Sequence, residues 1–120
     1  MADILNVGLD SALLTNRRVN LERAGHRVAQ AHDVRQVLAA CERKSLDIVI
    51  LGNTLTESEK MRVADVVRRF SADVMLLDLH NGTRPDLPYA DAHLHALESR
   101  PKELLLAVDA LTHNSKTAPK

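Results

Sequence analysis

Two short apolar runs constrain the fold of this 120-residue chain more than any other feature of its sequence. Residues 46–51 (LDIVIL) and 73–79 (DVMLLDL) are rich in aliphatic side chains, and aspartate is the only charged residue in either run. A continuous apolar run of this length is typical of a strand that is covered on both faces. Both runs therefore predict central strands of a parallel sheet, and a third short run at residues 4–8 predicts another.

Helix signals occupy the segments between these runs. Asp10 and Asp33 can cap helices, Gly25 can end the first helix, and Thr56 with Glu59 three residues later matches a capping box. The apolar face that we expect for the third helix comprises Met61, Val63, Ala64, Val67 and Phe70.

Five strands are predicted in all, because residues 26–31 and 90–97 also alternate weakly, as edge strands do. Pro101 stands at the first position of a last helical pattern. Strands that alternate with helices over short connections imply a doubly wound α/β fold with a parallel sheet and helices on both faces. We expect one domain at residues 1–112 and a disordered polar tail at residues 113–120.

The composition argues against several classes of function. Sixteen basic and sixteen acidic residues give a net charge of zero, so the chain lacks the field that nucleic-acid and anionic-membrane binders use. Phe70 and Tyr89 are the only aromatic residues, too few for a base-stacking platform. The single cysteine, Cys41, excludes an internal disulfide, and we expect it to fill the core of a cytoplasmic protein. No apolar run approaches the roughly 18 residues of a membrane span.

The order of these motifs resembles the receiver domain of bacterial response regulators, the CheY-like family. Residues 22–25 (ERAG) match the Glu-x-Ala-Gly with which receivers commonly end their first helix. Residues 47–52 (DIVILG) stand where receivers have an aspartate, an apolar run and a second aspartate. The resemblance covers roughly residues 3–112. It implies a flavodoxin-like sheet of strand order 2-1-3-4-5 and a role in two-component, or phosphorelay, signal transduction.

The positions that carry the chemistry of the family are altered in this chain. In receivers, two acids after the first strand and an aspartate that ends the third strand hold Mg²⁺, and that aspartate accepts the phosphoryl group. The resemblance places Gly8 and Leu9 at the paired acids and Gly52 at the acceptor. Asp78 takes the place of a hydroxyl residue, and Ala96 or its neighbour takes the place of a lysine.

A degenerate pocket is therefore expected at the carboxyl edge of the sheet. Its predicted members are Gly8, Leu9, Asp10, Gly52, Asn53, Asp78 and Ala96. Because Gly52 has no side chain to phosphorylate, we expect no phospho-acceptor, no catalytic residue, and no resident metal or cofactor.

Asp10 has two interpretations. It can cap the first helix, or it can pair with Asp78 to hold a cation, although two facing carboxylates without a cation raise a pKa instead of binding well. His93 and His95 pose a similar choice, since residues two apart on a strand share a face and two imidazoles can ligate zinc or nickel. No third ligand is evident, so we expect solvent-facing histidines on an edge strand.

The segment that links the last two strands is too broken for the helix that receivers usually place there. Gly82, Pro85 and Pro88 all lie within residues 80–89. We expect a loop or a single helical turn, and exposed loops often carry binding residues. The predicted partner surface comprises His80, Asn81, Arg84 and Tyr89.

These features favour one function and leave two alternatives. The leading hypothesis is an atypical, non-enzymatic receiver-like domain that binds a protein partner of a signalling pathway. A second copy of the chain is a further candidate partner, which would give a homodimer. We expect this domain to bind neither nucleic acid nor membrane. The first alternative is a small-ligand or metal-binding module that uses Asp10, Asn53, Asp78 and His80. The second is an enzyme on the same scaffold, for which the sequence shows no nucleophile–base pair.

Overall fold

A computed structural model describes residues 2–96 and 101–113 of the chain. Its five strands form one parallel sheet in the order β2-β1-β3-β4-β5. The strands are β1 (Asp3–Val7), β2 (Arg27–Ala31), β3 (Ile48–Leu51), β4 (Met75–His80) and β5 (Ala92–His95). The helices in the described ranges are α1 (Ser11–Arg23), α2 (Val34–Arg43), α3 (Glu57–Phe70) and α4 (Pro101–His113). The predicted fold class and strand order are confirmed.

The helices begin where side chains can satisfy their first backbone N–H groups. Asp10 accepts hydrogen bonds from the N–H groups of Ala12 and Leu13, so the capping interpretation of Asp10 is confirmed. Thr56 and Glu59 form the reciprocal bonds of a capping box at the start of α3.

The sheet is covered on both faces, and a core layer lies on each. One layer joins β1, β3 and β4 to α2 and α3, and the other joins the same strands to α1 and α4. Side chains alternate between the faces along each strand, so Leu5, Val49 and Leu76 lie in the first layer and Ile4, Ile48 and Leu77 in the second. Cys41 packs half-buried against the first layer, and burial raises the pKa of its thiol.

The buried face of α3 differs from the predicted one. Met61 and Phe70 are 48% and 49% exposed, and the buried positions are Lys60, Val63, Ala64 and Val67. Those four positions have the i, i+3, i+4, i+7 spacing of one helix face, and Met61 lies off that face. Phe70 is three residues after Val67 and close to that face, but it is the last residue of α3 and half of it is exposed there. The prediction was wrong for Met61 because it followed side-chain type instead of angular position around the helix.

The connection from β4 to β5 contains no helix in the structure, as the prediction of a loop required. We call residues 81–91 the strap. Residues 114–120 of the predicted tail and residue 97, the alternative lysine position, lie outside the described residues. None of the helices in the described ranges is long and apolar enough to cross a membrane.

Candidate functional site

The acceptor position at the end of β3 has no room for a side chain. The N–H of Gly52 donates a hydrogen bond to the carbonyl oxygen of Val7 at 2.8 Å. A Cβ atom built on Gly52 would lie 2.6 Å from that same oxygen, closer than real Cβ atoms approach backbone. The carboxyl ends of β1 and β3 therefore converge until only glycine fits between them.

A guanidinium group lies over this glycine. Arg17 Nη1 is 3.2 Å from the position that a Gly52 Cβ would occupy, and Arg17 Nη2 donates to Asn53 Oδ1 at 2.7 Å. Burial lowers the pKa of Arg17, and the nearby Asp10 carboxylate partly opposes that effect. A positive charge supplied by the chain itself thus lies at the edge where a receiver would hold its cation.

The loops around Arg17 are tied to one another. The N–H of Leu9 donates to Thr54 Oγ1 at 2.8 Å, which joins the segment after β1 to the segment after β3. Asn53 Nδ2 donates to Asn81 Oδ1, and Asn81 Nδ2 donates to the Asn53 carbonyl, at 3.1 and 3.2 Å. Gly8 is close-packed as well, since a Cβ there would lie 3.2 Å from the side chain of Leu14.

These residues do not fit the Mg²⁺ ion that the receiver fold implies. Magnesium prefers several hard oxygen ligands, including carboxylates. Gly8, Leu9 and Gly52 offer no side-chain oxygen, and Asp10 is committed to the start of α1 beside the positive Arg17. The described residues contain no group of three or more His, Cys, Asp or Glu side chains that could hold a metal ion.

Asp78 lies on the α3 face of the sheet, in a buried ion pair with Lys60. Both side chains are fully buried, and Lys60 Nζ lies 2.6 Å from Asp78 Oδ1. The ammonium group also donates to the carbonyl of Leu79 at 2.7 Å and to Asp86 Oδ2 at 2.8 Å. Asp78 Oδ2 accepts from the N–H of Leu87 at 2.9 Å. Every ammonium proton has an acceptor, as a buried charge requires.

This arrangement removes two sequence-based hypotheses. Asp78 faces α3, on the same side of the sheet as its register partner Leu51, so it does not pair with Asp10 around a cation. The structure does not assemble the ligand site that was proposed from Asp10, Asn53, Asp78 and His80 either. Lys60 neutralises Asp78, and His80 is buried with its Nδ1 beside the Gly82 carbonyl.

Lys60 and Arg17 are not among the site residues predicted from the sequence. A signal for Lys60 was present, since it occupies the buried face of α3 with Val63, Ala64 and Val67, and a lysine among apolar positions requires a buried acceptor. Asp78 is the acid that interrupts the apolar part of the run at residues 73–79, and it can supply that acceptor. The sequence contains no such signal for Arg17, because adjacent arginines on a helix, such as Arg17 and Arg18, are ordinarily solvent-exposed.

The strap is anchored to the sheet and to α3. Asp86 and Leu87 bind the Lys60–Asp78 pair as described above, and the Leu87 side chain is buried in the first core layer. Asp91 Oδ2 accepts from the N–H of Leu76 at 2.7 Å and from Arg68 Nη2 at 3.0 Å. The strap thus takes the place of the helix that receivers usually have between β4 and β5, and these specific contacts hold it against the sheet and α3.

The predicted partner surface is only partly exposed. Asn81, Arg84 and Tyr89 are exposed, the last at 56%, whereas His80 is 8% exposed. The inclusion of His80 in that surface is therefore corrected. Its Nδ1 lies 2.9 Å from the Gly82 carbonyl, and its ring packs edge-on against His95 at a centroid distance of 5.5 Å. Partial desolvation and the Asp65 charge raise the pKa of Tyr89, and Arg68 opposes them.

The histidines of β5 are not solvent-facing, contrary to expectation. His93 and His95 are both half-buried, and His93 Nε2 lies 2.7 Å from the Leu87 carbonyl. The strap covers the face of β5 that an edge strand would otherwise expose. Ala96, at the lysine position, is half-buried and donates its N–H to the His80 carbonyl at 2.7 Å.

Comparison with solved structures identifies the fold. No protein-family model and no curated protein sequence matches the chain. The chemotaxis protein CheY4 of Vibrio cholerae superposes with a TM-score of 0.80 and 22% identity, over 92% of this chain and 98% of that one. The chain has the receiver fold. A CheY-like receiver domain protein from Methanospirillum hungatei gives a TM-score of 0.78 at 20% identity, covering 94% of this chain and 95% of that one.

A third receiver structure contains the metal. The receiver domain of the sensor histidine kinase PA1611 from Pseudomonas aeruginosa has a magnesium ion coordinated in its active-site cleft. It superposes with a TM-score of 0.75 and 18% identity, over 92% of this chain and 96% of that one. The receiver fold is thus present here with a carboxyl edge whose residues do not suit that ion.

Proposed function

We propose that this chain is a receiver-like domain of two-component signal transduction that accepts no phosphoryl group at the usual position and acts by binding another protein. One observation carries the proposal. Gly52 stands at the acceptor position, and a Cβ built on it would lie only 2.6 Å from the Val7 carbonyl oxygen. Solved structures of the same fold belong to chemotaxis and other two-component proteins, which supports the signalling context.

The absence of enzymatic activity is part of this proposal. Phosphoryl transfer to a receiver needs a nucleophilic carboxylate and a cation that offsets the charge on the phosphoryl group. The charged side chains closest to that chemistry supply no free carboxylate. Arg17 is a cation, Asp10 caps α1, and Asp78 is neutralised by Lys60.

Incubation with acetyl phosphate and Mg²⁺ tests this part of the proposal. Intact-mass measurement should show no phosphoryl adduct, while a receiver with its acceptor aspartate, treated in parallel, should show one. Titration with Mg²⁺ alone should leave the thermal midpoint unchanged, because an ion that binds only the native state would raise it. A stable adduct on this chain would refute the proposal.

The strap is the surface through which we propose that the partner binds. Arg84 and Tyr89 are exposed on it, and Arg and Tyr are residue types that often dominate the energy of protein interfaces. The strap is also held in place at Asp86, Leu87 and Asp91, so a partner meets an ordered surface and little conformational entropy is lost on binding.

Binding measurements with purified sensor kinases and receiver proteins test the surface. Tyr89→Ala and Arg84→Ala should each weaken the complex by roughly tenfold or more. Leu106→Ala is the matched control, because Leu106 is 57% exposed on α4, a helix that covers the opposite face of the sheet from α3 and Leu87. Equal weakening by Leu106→Ala would refute the assignment of the strap, and failure of every two-component protein to bind would refute the proposed context.

A further inference from the structure

A groove lies between α1 and α4 at the carboxyl end of the sheet. It has a cavity volume of about 160 Å³. Its apolar wall includes Leu79 from β4, Leu94 from β5 and Leu104 from α4. Its polar wall comes from one face of α1 and consists of Asn16, Arg17 and Asn20. The groove contains none of the residues of the strap, so it is separate from the proposed protein-binding surface.

The charge of the groove is positive. Arg17 is the only charged residue among the described residues that line it. Asn53 accepts from Nη2 and holds the guanidinium in place, and it is the only described group that accepts a hydrogen bond from this side chain. The nearest counter-charge, Asp10, already accepts from two N–H groups at the start of α1.

The amino end of α4 also borders the groove, where Pro101 is the first residue of that 13-residue helix. The partial positive charge of a helix amino end is offset here by Glu103 in the first turn of α4. The preference of the groove for a negatively charged group therefore comes from the half-buried Arg17.

We propose that this groove binds a small organic carboxylate whose apolar part is about the size of a benzene ring. A carboxylate is the planar partner that a guanidinium pairs with best, through charge-assisted hydrogen bonds. The apolar wall accounts for the rest of the ligand, since a cavity of about 150 Å³ lined by aliphatic side chains accommodates benzene. The carboxyl end of a parallel sheet is also where ligands of such folds bind.

Three probes test the proposal on the complete chain. Benzoate has both features of the ligand, benzamide has the ring without the charge, and acetate has the charge without the ring. In NMR titrations, benzoate should shift the amide signals of the α1 and α4 residues that line the groove. Benzamide and acetate should each bind at least roughly tenfold more weakly, the loss expected when a charge-assisted hydrogen bond or a buried ring is removed.

Two variants and a control locate the site. Arg17→Gln should reduce benzoate affinity to that of benzamide, and Ala96→Leu, which fills the groove without touching the charge, should abolish benzoate binding. Arg18→Gln should have no effect, because Arg18 pairs with Glu22 outside the groove. The proposal is refuted if benzoate causes no shifts, if benzamide or acetate binds as tightly, or if Arg18→Gln and Arg17→Gln behave alike.

Discussion

Removal of the buried Lys60 ammonium should destabilise the protein more than the loss of any surface charge. Lys60→Met leaves the fully buried Asp78 carboxylate with the Leu87 N–H as its remaining donor and with Asp86 nearby. Breaking a buried pair from one side typically costs about 3–5 kcal/mol, a large part of the roughly 5–15 kcal/mol that stabilises a domain.

The three members of the cluster should differ in a defined order. Asp78→Asn keeps an acceptor for the Leu87 N–H and leaves Lys60 with Asp86 and the Leu79 carbonyl, so about 2–3 kcal/mol should be lost. Asp86→Asn should cost about 1 kcal/mol, because the Asp86 side chain is 34% exposed and water can replace part of its contact.

The assay is urea unfolding at neutral pH followed by far-ultraviolet circular dichroism, since the chain has no tryptophan. The midpoint should shift at constant slope. Lys44→Met is the control, because Lys44 is 48% exposed in its contact with Asp3 and should cost at most about 1 kcal/mol. The double variant Lys60→Met/Asp78→Asn should lose roughly 1–3 kcal/mol less than the sum of its single changes. A Lys60→Met variant as stable as Lys44→Met would contradict the account of the cluster.

Three further predictions concern separate parts of the molecule. Gly52→Ala should lower the free energy of unfolding by about 1–3 kcal/mol, because the added methyl group overpacks against Val7. A urea midpoint equal to that of the wild type would contradict the close approach of Gly52 and Val7. Gly52→Asp should remain unreactive towards acetyl phosphate. His26 is buried and accepts from the Ala2 N–H, and burial, aided by the charge of the amino terminus and opposed by Asp109, lowers its pKa. The contribution of neutral His26 to stability should therefore be complete above about pH 6.5 and be lost as the pH falls towards the folded-state pKa. The urea midpoint of the wild type should fall over that pH window, and this pH dependence should be absent in His26→Asn. Asp10→Ala should cost about 1 kcal/mol in the same urea assay because α1 loses its cap, and Mg²⁺ should leave the urea midpoint unchanged in both the wild type and the variant.

The fold was predictable because its signals are local. The run at residues 46–51 became β3, and the capping box at Thr56 became the start of α3. The glycine and two prolines of residues 80–89 correctly predicted the loss of a helix, since each disfavours helical backbone regardless of tertiary contacts. The order of strands followed from the resemblance to receivers and is confirmed.

The site was less predictable because it depends on direction as well as position. Asp78 was placed correctly near the end of β4, but the sequence alone does not show which face of the sheet a strand residue points to. One residue of register decides whether its carboxylate meets Lys60 or the carboxyl-edge pocket. The role of Arg17 was unpredictable for a similar reason, since its position on α1 does not reveal its contact with Asn53, which follows β3 in the chain.

The close approach of Gly52 to Val7 also has a consequence for how sequences of this kind can diverge. An acceptor at position 52 requires a Cβ that this backbone excludes and a space that Arg17 now occupies. The Val7 carbonyl belongs to the backbone, so it excludes a side chain at position 52 whether or not Arg17 is present. Replacement of Gly52 by any larger residue therefore requires β1 and β3 to separate at their carboxyl ends, and a substitution at position 52 alone is not enough.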